Sequence, residues 1–267
     1  MDFVERSLQT SYGVINFAEG PTSGSPMVWL HGVSGRWQRW RGHMETFSSK
    51  WQQFALDARG HGKSSRVPGR YSWLDHASDL DAFVREKLNE PAVLIGHSLG
   101  GLESVKVAAD QPEHVRAIVL EDPPLYAAEH PDADYTLFRI MEGVAASGMT
   151  ADQIVQGWTG EPWMTDELRK EYAEALTQLD PENLSASISL EATRGFDVDE
   201  HLGRIDCPTL LVRAGGSGAA LSELDQERAL ACLSHGTAIT IPDSGHMVHA
   251  EQSSTYQRAI EEFLAKL

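Results

Sequence analysis

The stretch Pro91-Ala92-Val93-Leu94-Ile95-Gly96-His97-Ser98-Leu99-Gly100-Gly101 decides the fold. Four apolar residues, a strand in character, run into Gly-x-Ser-x-Gly, and the segment that follows to residue 110 reads as a helix. A strand that turns directly into a helix strains the residue at the corner and crowds its neighbours. Gly96 and Gly100 remove the side chains that would collide, and Gly101 lets the new helix lie close to the strand. The corner lifts Ser98 above the strand end, beside the positive end of the helix dipole. Ser98 is therefore the candidate nucleophile.

Outward from this corner, further short strand-like runs occur at residues 13–17, 27–30, 53–56 and 117–120. Residues 75–88 put Leu80, Phe83, Val84 and Leu88 on one helical face. Strand, helix and strand at this spacing describe βαβ units and a mostly parallel sheet, an α/β fold. From 127 to 202 the chain is helical in character without a strand. Strands return at 209–212 and 238–241, before a last amphipathic helix around residues 259–264. The chain thus divides into an α/β core at 1–126, a helical insert at 127–202, and a second core segment at 203–267.

Composition narrows the function. The 267 residues carry 22 Lys and Arg against 39 Asp and Glu, a formal charge of −17. Such a surface repels phosphate backbones and anionic lipid, which disfavours nucleic-acid and membrane partners and leaves a small-molecule substrate. Two cysteines, Cys207 and Cys232, make neither a disulfide framework nor a four-ligand zinc site, and no metal or cofactor is implied. The first residues lack a secretion signal and no apolar run reaches the length of a bilayer span, so a soluble, cytoplasmic protein is expected.

A serine that attacks an acyl carbon needs N–H donors for the oxyanion that forms. Leu99, at the helix start, offers one. Val33 offers the second, in Met27-Val28-Trp29-Leu30-His31-Gly32-Val33-Ser34-Gly35, where an apolar strand meets a Gly-containing turn. With these motifs the chain resembles the α/β-hydrolase fold superfamily over its whole length. Two more stretches carry the resemblance: Leu56-Asp57-Ala58-Arg59-Gly60-His61-Gly62-Lys63-Ser64, and Asp243-Ser244-Gly245-His246-Met247-Val248. The resemblance implies an eight-stranded, mostly parallel sheet flanked by helices, a helical cap inserted after the sixth strand, and a Ser–acid–His triad. It implies His246 as the base, with His249 the other candidate.

The acid departs from that family's common pattern. The loop after the seventh strand, Arg213 to Ser222, holds no carboxylate before Glu223, and Glu223 and Asp225 read as first-turn helix residues. The sixth strand instead ends Leu120-Glu121-Asp122-Pro123-Pro124, and a minority of the superfamily carries its acid there. Adjacent strand residues point to opposite faces, so Glu121 and Asp122 cannot both serve. Asp122 is the preferred acid, with Glu121, Glu223 and Asp225 as alternatives.

Candidate substrate contacts are His31, Trp37, Tyr126, Phe138, Met141, Trp158 and Trp163, which suit an apolar or aromatic molecule. Arg139, Arg169 and Arg194 are candidates for holding a carboxylate. The expected activity is hydrolysis of a carboxylic ester or lactone. The same triad is also compatible with an amide or with the carbon–carbon bond of a β-diketone, and a non-catalytic binding member of the fold is the third reading.

Overall fold

The computed structural model describes residues 2–21 and 23–267. Eight strands form one sheet: β1 (Val4–Thr10), β2 (Gly13–Glu19), β3 (Ser25–Leu30), β4 (Trp51–Leu56), β5 (Ala92–His97), β6 (Val115–Glu121), β7 (Thr209–Ala214) and β8 (Gly236–Ile241). Their order across the sheet is β1-β2-β4-β3-β5-β6-β7-β8. Strands β3 to β8 run parallel, and β2 meets β4 antiparallel, as β1 does β2. This is the α/β-hydrolase fold. Strand β1 has no counterpart among the apolar runs of the sequence, because VERSLQT is an edge strand in which only Thr10 is buried.

Helices α1 (Arg41–Phe47), α2 (Trp73–Lys87) and α3 (Leu99–Asp110) belong to the first half. Between β6 and β7 lie α4 (Thr136–Ala146), α5 (Ala151–Gly157), α6 (Asp166–Thr177), α7 (Glu182–Ile188) and α8 (Val198–Gly203). Helices α9 (Glu223–Cys232), α10 (Val248–Glu251) and α11 (Ser253–Leu264) complete the chain. No helix among the described residues is long and apolar enough to cross a membrane.

Strand β5 shows why the central strands read as unbroken apolar runs. All six of its residues are buried. Ala92 and Leu94 enter one core with α2 and α3, while Val93 and Ile95 enter the other with α1 and α11. The insert has a small core of its own around Ile154, Ala173, Leu176, Leu179 and Leu184. Its last helix, α8, packs on α3 and α9, and Leu202 is in the main core. The boundary at 202 therefore cuts a helix of the layer flanking the sheet, since Leu202 and Ile205 complete that layer's apolar surface.

Candidate active site

Ser98 stands between β5 and α3 with φ 51° and ψ −113°. Such a conformation costs about 1–3 kcal/mol and persists only where its surroundings enforce it. They do so by close approach. A Cβ on Gly96 would lie 2.2 Å from the Gly100 carbonyl oxygen, and one on Gly100 would lie 2.4 Å from that of Leu30. The Ser98 N–H donates to the Glu121 carbonyl at 2.9 Å, which ties the corner to the end of β6. Gly32 lies against the same corner, where an added Cβ would be 2.9 Å from Cβ of Ser98.

Asp122 follows β6 with φ 42° and is fully buried. Its Oδ2 accepts from the Ala220 N–H at 2.7 Å and from Nδ1 of His246 at 2.7 Å. Its Oδ1 accepts from the N–H groups of Ala214 and Leu221, both at 3.3 Å. The loop after β7 contributes no acid of its own and instead surrounds the acid from β6 with backbone donors. With the carboxyl accepting from each of these partners, Nδ1 of His246 is the nitrogen that donates to it.

Glu121, pointing to the other face, accepts from His249 instead. Glu223 and Asp225 occupy the first turn of α9, where Ser222 caps Asp225 and His130 lies 3.2 Å from it.

His246 lies between β8 and α10 with its side chain 30% exposed. Its loop is held at several points. Glu251 accepts from the N–H groups of Gly245 at 2.8 Å and Met247 at 3.3 Å, and Nε2 of His97 donates to the His246 carbonyl at 3.0 Å. The His97 and His246 rings meet at a tilt of 50° with centroids 4.6 Å apart, which sets the His246 ring beside the residue preceding Ser98.

The Leu99 N–H, first in α3, has no intrahelical acceptor. Val33 sits in a turn closed by the Gly35 N–H to the Gly32 carbonyl at 3.0 Å, next to Ser34 with φ 70°. Among the described residues no acceptor takes the Val33 N–H.

Other candidates fall elsewhere. His31 is buried, donating from Nδ1 to the Gly32 carbonyl at 2.8 Å and accepting from the Ala58 N–H at 3.0 Å. Burial holds its pKa well below the ordinary histidine value, so it is a neutral bracket between two loops rather than a substrate contact. Trp37 lies in the core on the α1 side of the sheet and bonds Glu5 at 2.7 Å. Tyr126 lies in the core on the α3 side, with its hydroxyl on Asp199 at 2.8 Å and Arg228 stacked 4.1 Å from its ring. Both rings are consumed by packing.

Phe138 and Met141 are half-buried and pack against the small core of the insert, which Val33 also borders. Trp158 and Trp163 are half-buried, Trp158 lying 6.2 Å from the ring of Tyr172. Arg139 is exposed, while Arg169 and Arg194 pair with Asp166 and Glu191.

The sequence reading missed Arg39. It is buried, stacks 4.0 Å from the Tyr172 ring of α6 and approaches Glu171 at 3.6 Å, so it fastens the insert to the loop after β3. Its pairing with Arg36, three residues away beside the Gly-containing turn, is the signal that could have found it.

The sequence also shows no metal-ligand spacing. The fold nevertheless gathers His97, Glu121 and His249, whose ligand atoms lie within 4.8 Å of one another. Those three come from three separate elements, and they are already bonded to each other or to His246.

Residues 25–147 match the family model of the alpha/beta hydrolase fold. A putative esterase/lipase of Haemophilus influenzae is 27% identical over 243 residues, covering 90% of this chain and 83% of that one. The (E)-2-((N-methylformamido)methylene)succinate hydrolase of Acinetobacter baylyi is 25% identical over 246 residues, 90% of each chain. Among solved structures, E-2-(acetamidomethylene)succinate hydrolase superposes with a TM-score of 0.81 at 21% identity, covering 99% of this chain and 100% of that one. The sequence match over residues 25–147 and the likeness of the whole sheet to this solved structure agree on the α/β-hydrolase fold.

Proposed function

We propose that the protein is a serine hydrolase that cleaves a carboxylic ester or lactone through Ser98, His246 and Asp122. The observation that carries this is the 2.7 Å bond from His246 Nδ1 to a buried Asp122 carboxyl, beside a serine in a strained corner. With the proton held on Nδ1, Nε2 is the basic nitrogen. It takes the Ser98 proton as Oγ attacks the carbonyl, and Asp122 stabilises the imidazolium that results. The N–H groups of Val33 and Leu99 receive the oxyanion. His246 returns the proton to the leaving alcohol, and water then attacks the acyl-enzyme with His246 again as base. The products are an acid and an alcohol.

The insert acts as a cap in this reading. Phe138 and Met141, half-buried on the small core that Val33 also borders, give the acyl or alcohol portion an apolar wall. A second reading has an observation in its favour, the similarity to a hydrolase of a formamido-methylene succinate. The same steps then release an amine in place of an alcohol.

The test is a panel of p-nitrophenyl esters, aryl lactones and anilides, turned over by wild type and Ser98→Ala. The expected result is turnover by the wild type and a fall of ~10³-fold or more in the variant. Undiminished activity in Ser98→Ala overturns the proposal, and anilide turnover above ester turnover selects the second reading.

A further inference from the structure

The residues immediately before the nucleophile and before the acid share an arrangement. His97 precedes Ser98 on β5 and Glu121 precedes Asp122 on β6, and strand alternation turns both away from the catalytic pair. Both side chains then reach the loop that carries His246. Nε2 of His97 donates to the His246 carbonyl at 3.0 Å. Oε1 of Glu121 accepts both the backbone N–H and the ring Nδ1–H of His249, each at 2.8 Å. The His249 ring packs between Trp40 at 4.6 Å and His97 at 5.0 Å, and its carbonyl accepts from Nε2 of His43 at 3.1 Å.

We infer that His97 and Glu121 are positioning residues for His246, fastening the loop of the base to the two strands that carry the nucleophile and the acid. The inference rests on the proposed triad. General-base catalysis requires the imidazole within hydrogen-bond reach of the serine, and a misplacement of about 1 Å costs roughly 10²-fold in rate. Asp122 fixes the ring at one point, Nδ1, and the ring could still swing about that bond. The two ties fix the backbone on which the ring is mounted, one at residue 246 and one three residues later.

Glu121 is suited to this as a neutral group. Burial pushes its pKa up to about 8, and burial likewise holds His249 well below the ordinary histidine value. A glutamine, which keeps an acceptor oxygen at the same reach, should replace it.

The experiment reads Ser98 directly, without needing the natural substrate. The second-order rate of phosphonylation by a small fluorophosphonate is measured for wild type, Glu121→Ala, Glu121→Gln and His97→Phe, alongside kcat and KM on a p-nitrophenyl ester. Circular dichroism and melting temperature report folding. The expected result is labelling slowed about tenfold or more in Glu121→Ala, with kcat reduced and KM little changed, and recovery to within about threefold of wild type in Glu121→Gln. His97→Phe keeps a ring at this place but no donor, and is expected to be slowed about fivefold.

Should Glu121→Ala fail to fold, the His97→Phe and Glu121→Gln rates carry the decision. A folded Glu121→Ala or His97→Phe that labels at the wild-type rate overturns the positioning role. A wild type that labels and turns over with neither variant affected leaves the hydrolase reading standing. A wild type that does not label at Ser98 removes both.

Discussion

The sheet edge that carries Ser98, Asp122 and His246 and the helical insert above it are built on different terms. At the sheet edge the polar groups are buried and bonded: Asp122 has four donors around it, Ser98 is tied to Glu121, and the His246 loop is held from β5. In the insert, α4 has no buried residue, with Leu137 62% and Ile140 58% exposed. The proposed triad is fixed by strands and backbone amides, whereas the insert, which the proposal reads as the cap, is held by a small core and a few side-chain pairs. Rigid placement is needed where a proton moves over a fraction of an ångström, and it is not needed where apolar substrate is merely enclosed.

The comparison breaks most directly at Asp122. Asp122→Asn keeps the shape but favours the wrong tautomer of His246, and kcat is expected to fall by ~10³-fold or more with the fold intact. Steady-state kinetics on the ester panel measure it, and near-wild-type turnover would show that the buried bonding serves the fold alone.

The next effect is on stability. Ile118→Ala, at a fully buried position of β6, is expected to cost about 2–5 kcal/mol, against about 0.5 kcal/mol or less for Leu137→Ala on α4. Denaturant titration of both variants checks this, and equal costs would erase the distinction between the two regions.

The smallest effect is a pH dependence. Burial lowers the pKa values of His31, His43, His61, His76, His97 and His249 below the usual 6.5, to about 3 for His43 and about 4 for His61. Each binds fewer protons folded than unfolded, so its contribution to stability is present above pH 6.5 and is lost as pH falls. Burial raises Glu103 and Glu121 from 4.5 to about 8, so the folded state binds more protons there, and stability falls as pH rises through that interval. Between pH 4.5 and 6.5 the histidines outnumber the glutamates, and above 6.5 the glutamate slope remains. The melting temperature is expected to peak near pH ~6.5, with a shallower alkaline limb in Glu121→Gln. A melting temperature that climbs steadily to pH 9 would contradict the assignment of these groups as neutral.

Much of the sheet edge was legible because it makes demands that few residues meet. The corner at Ser98 needs glycines at 96 and 100, and a carboxylate at the end of a buried strand needs partners. Strand β1 was not legible, because an edge strand needs no apolar face. Trp37 and Tyr126 were misplaced because an aromatic ring in the core looks the same in sequence as one in a pocket, and only the fold tells them apart. His31, read from the sequence as a candidate substrate contact, has both ring nitrogens on the backbone, a bonding that its place after an apolar strand does not reveal. The group of His97, Glu121 and His249 has no sequence spacing to read, since it exists only once β5, β6 and α10 meet.

The donors that hold Asp122 from the end of β7 and the loop after it are backbone groups of Ala214, Ala220 and Leu221, with no side-chain atom among them. The acid's support is therefore independent of the chemical identity of those side chains. Leu221 is held by the core and Gly218 by its φ of 86°, but the exposed side chains of that loop can change without removing these donors. Proline is the exception, because it alone deletes the N–H on which Asp122 relies.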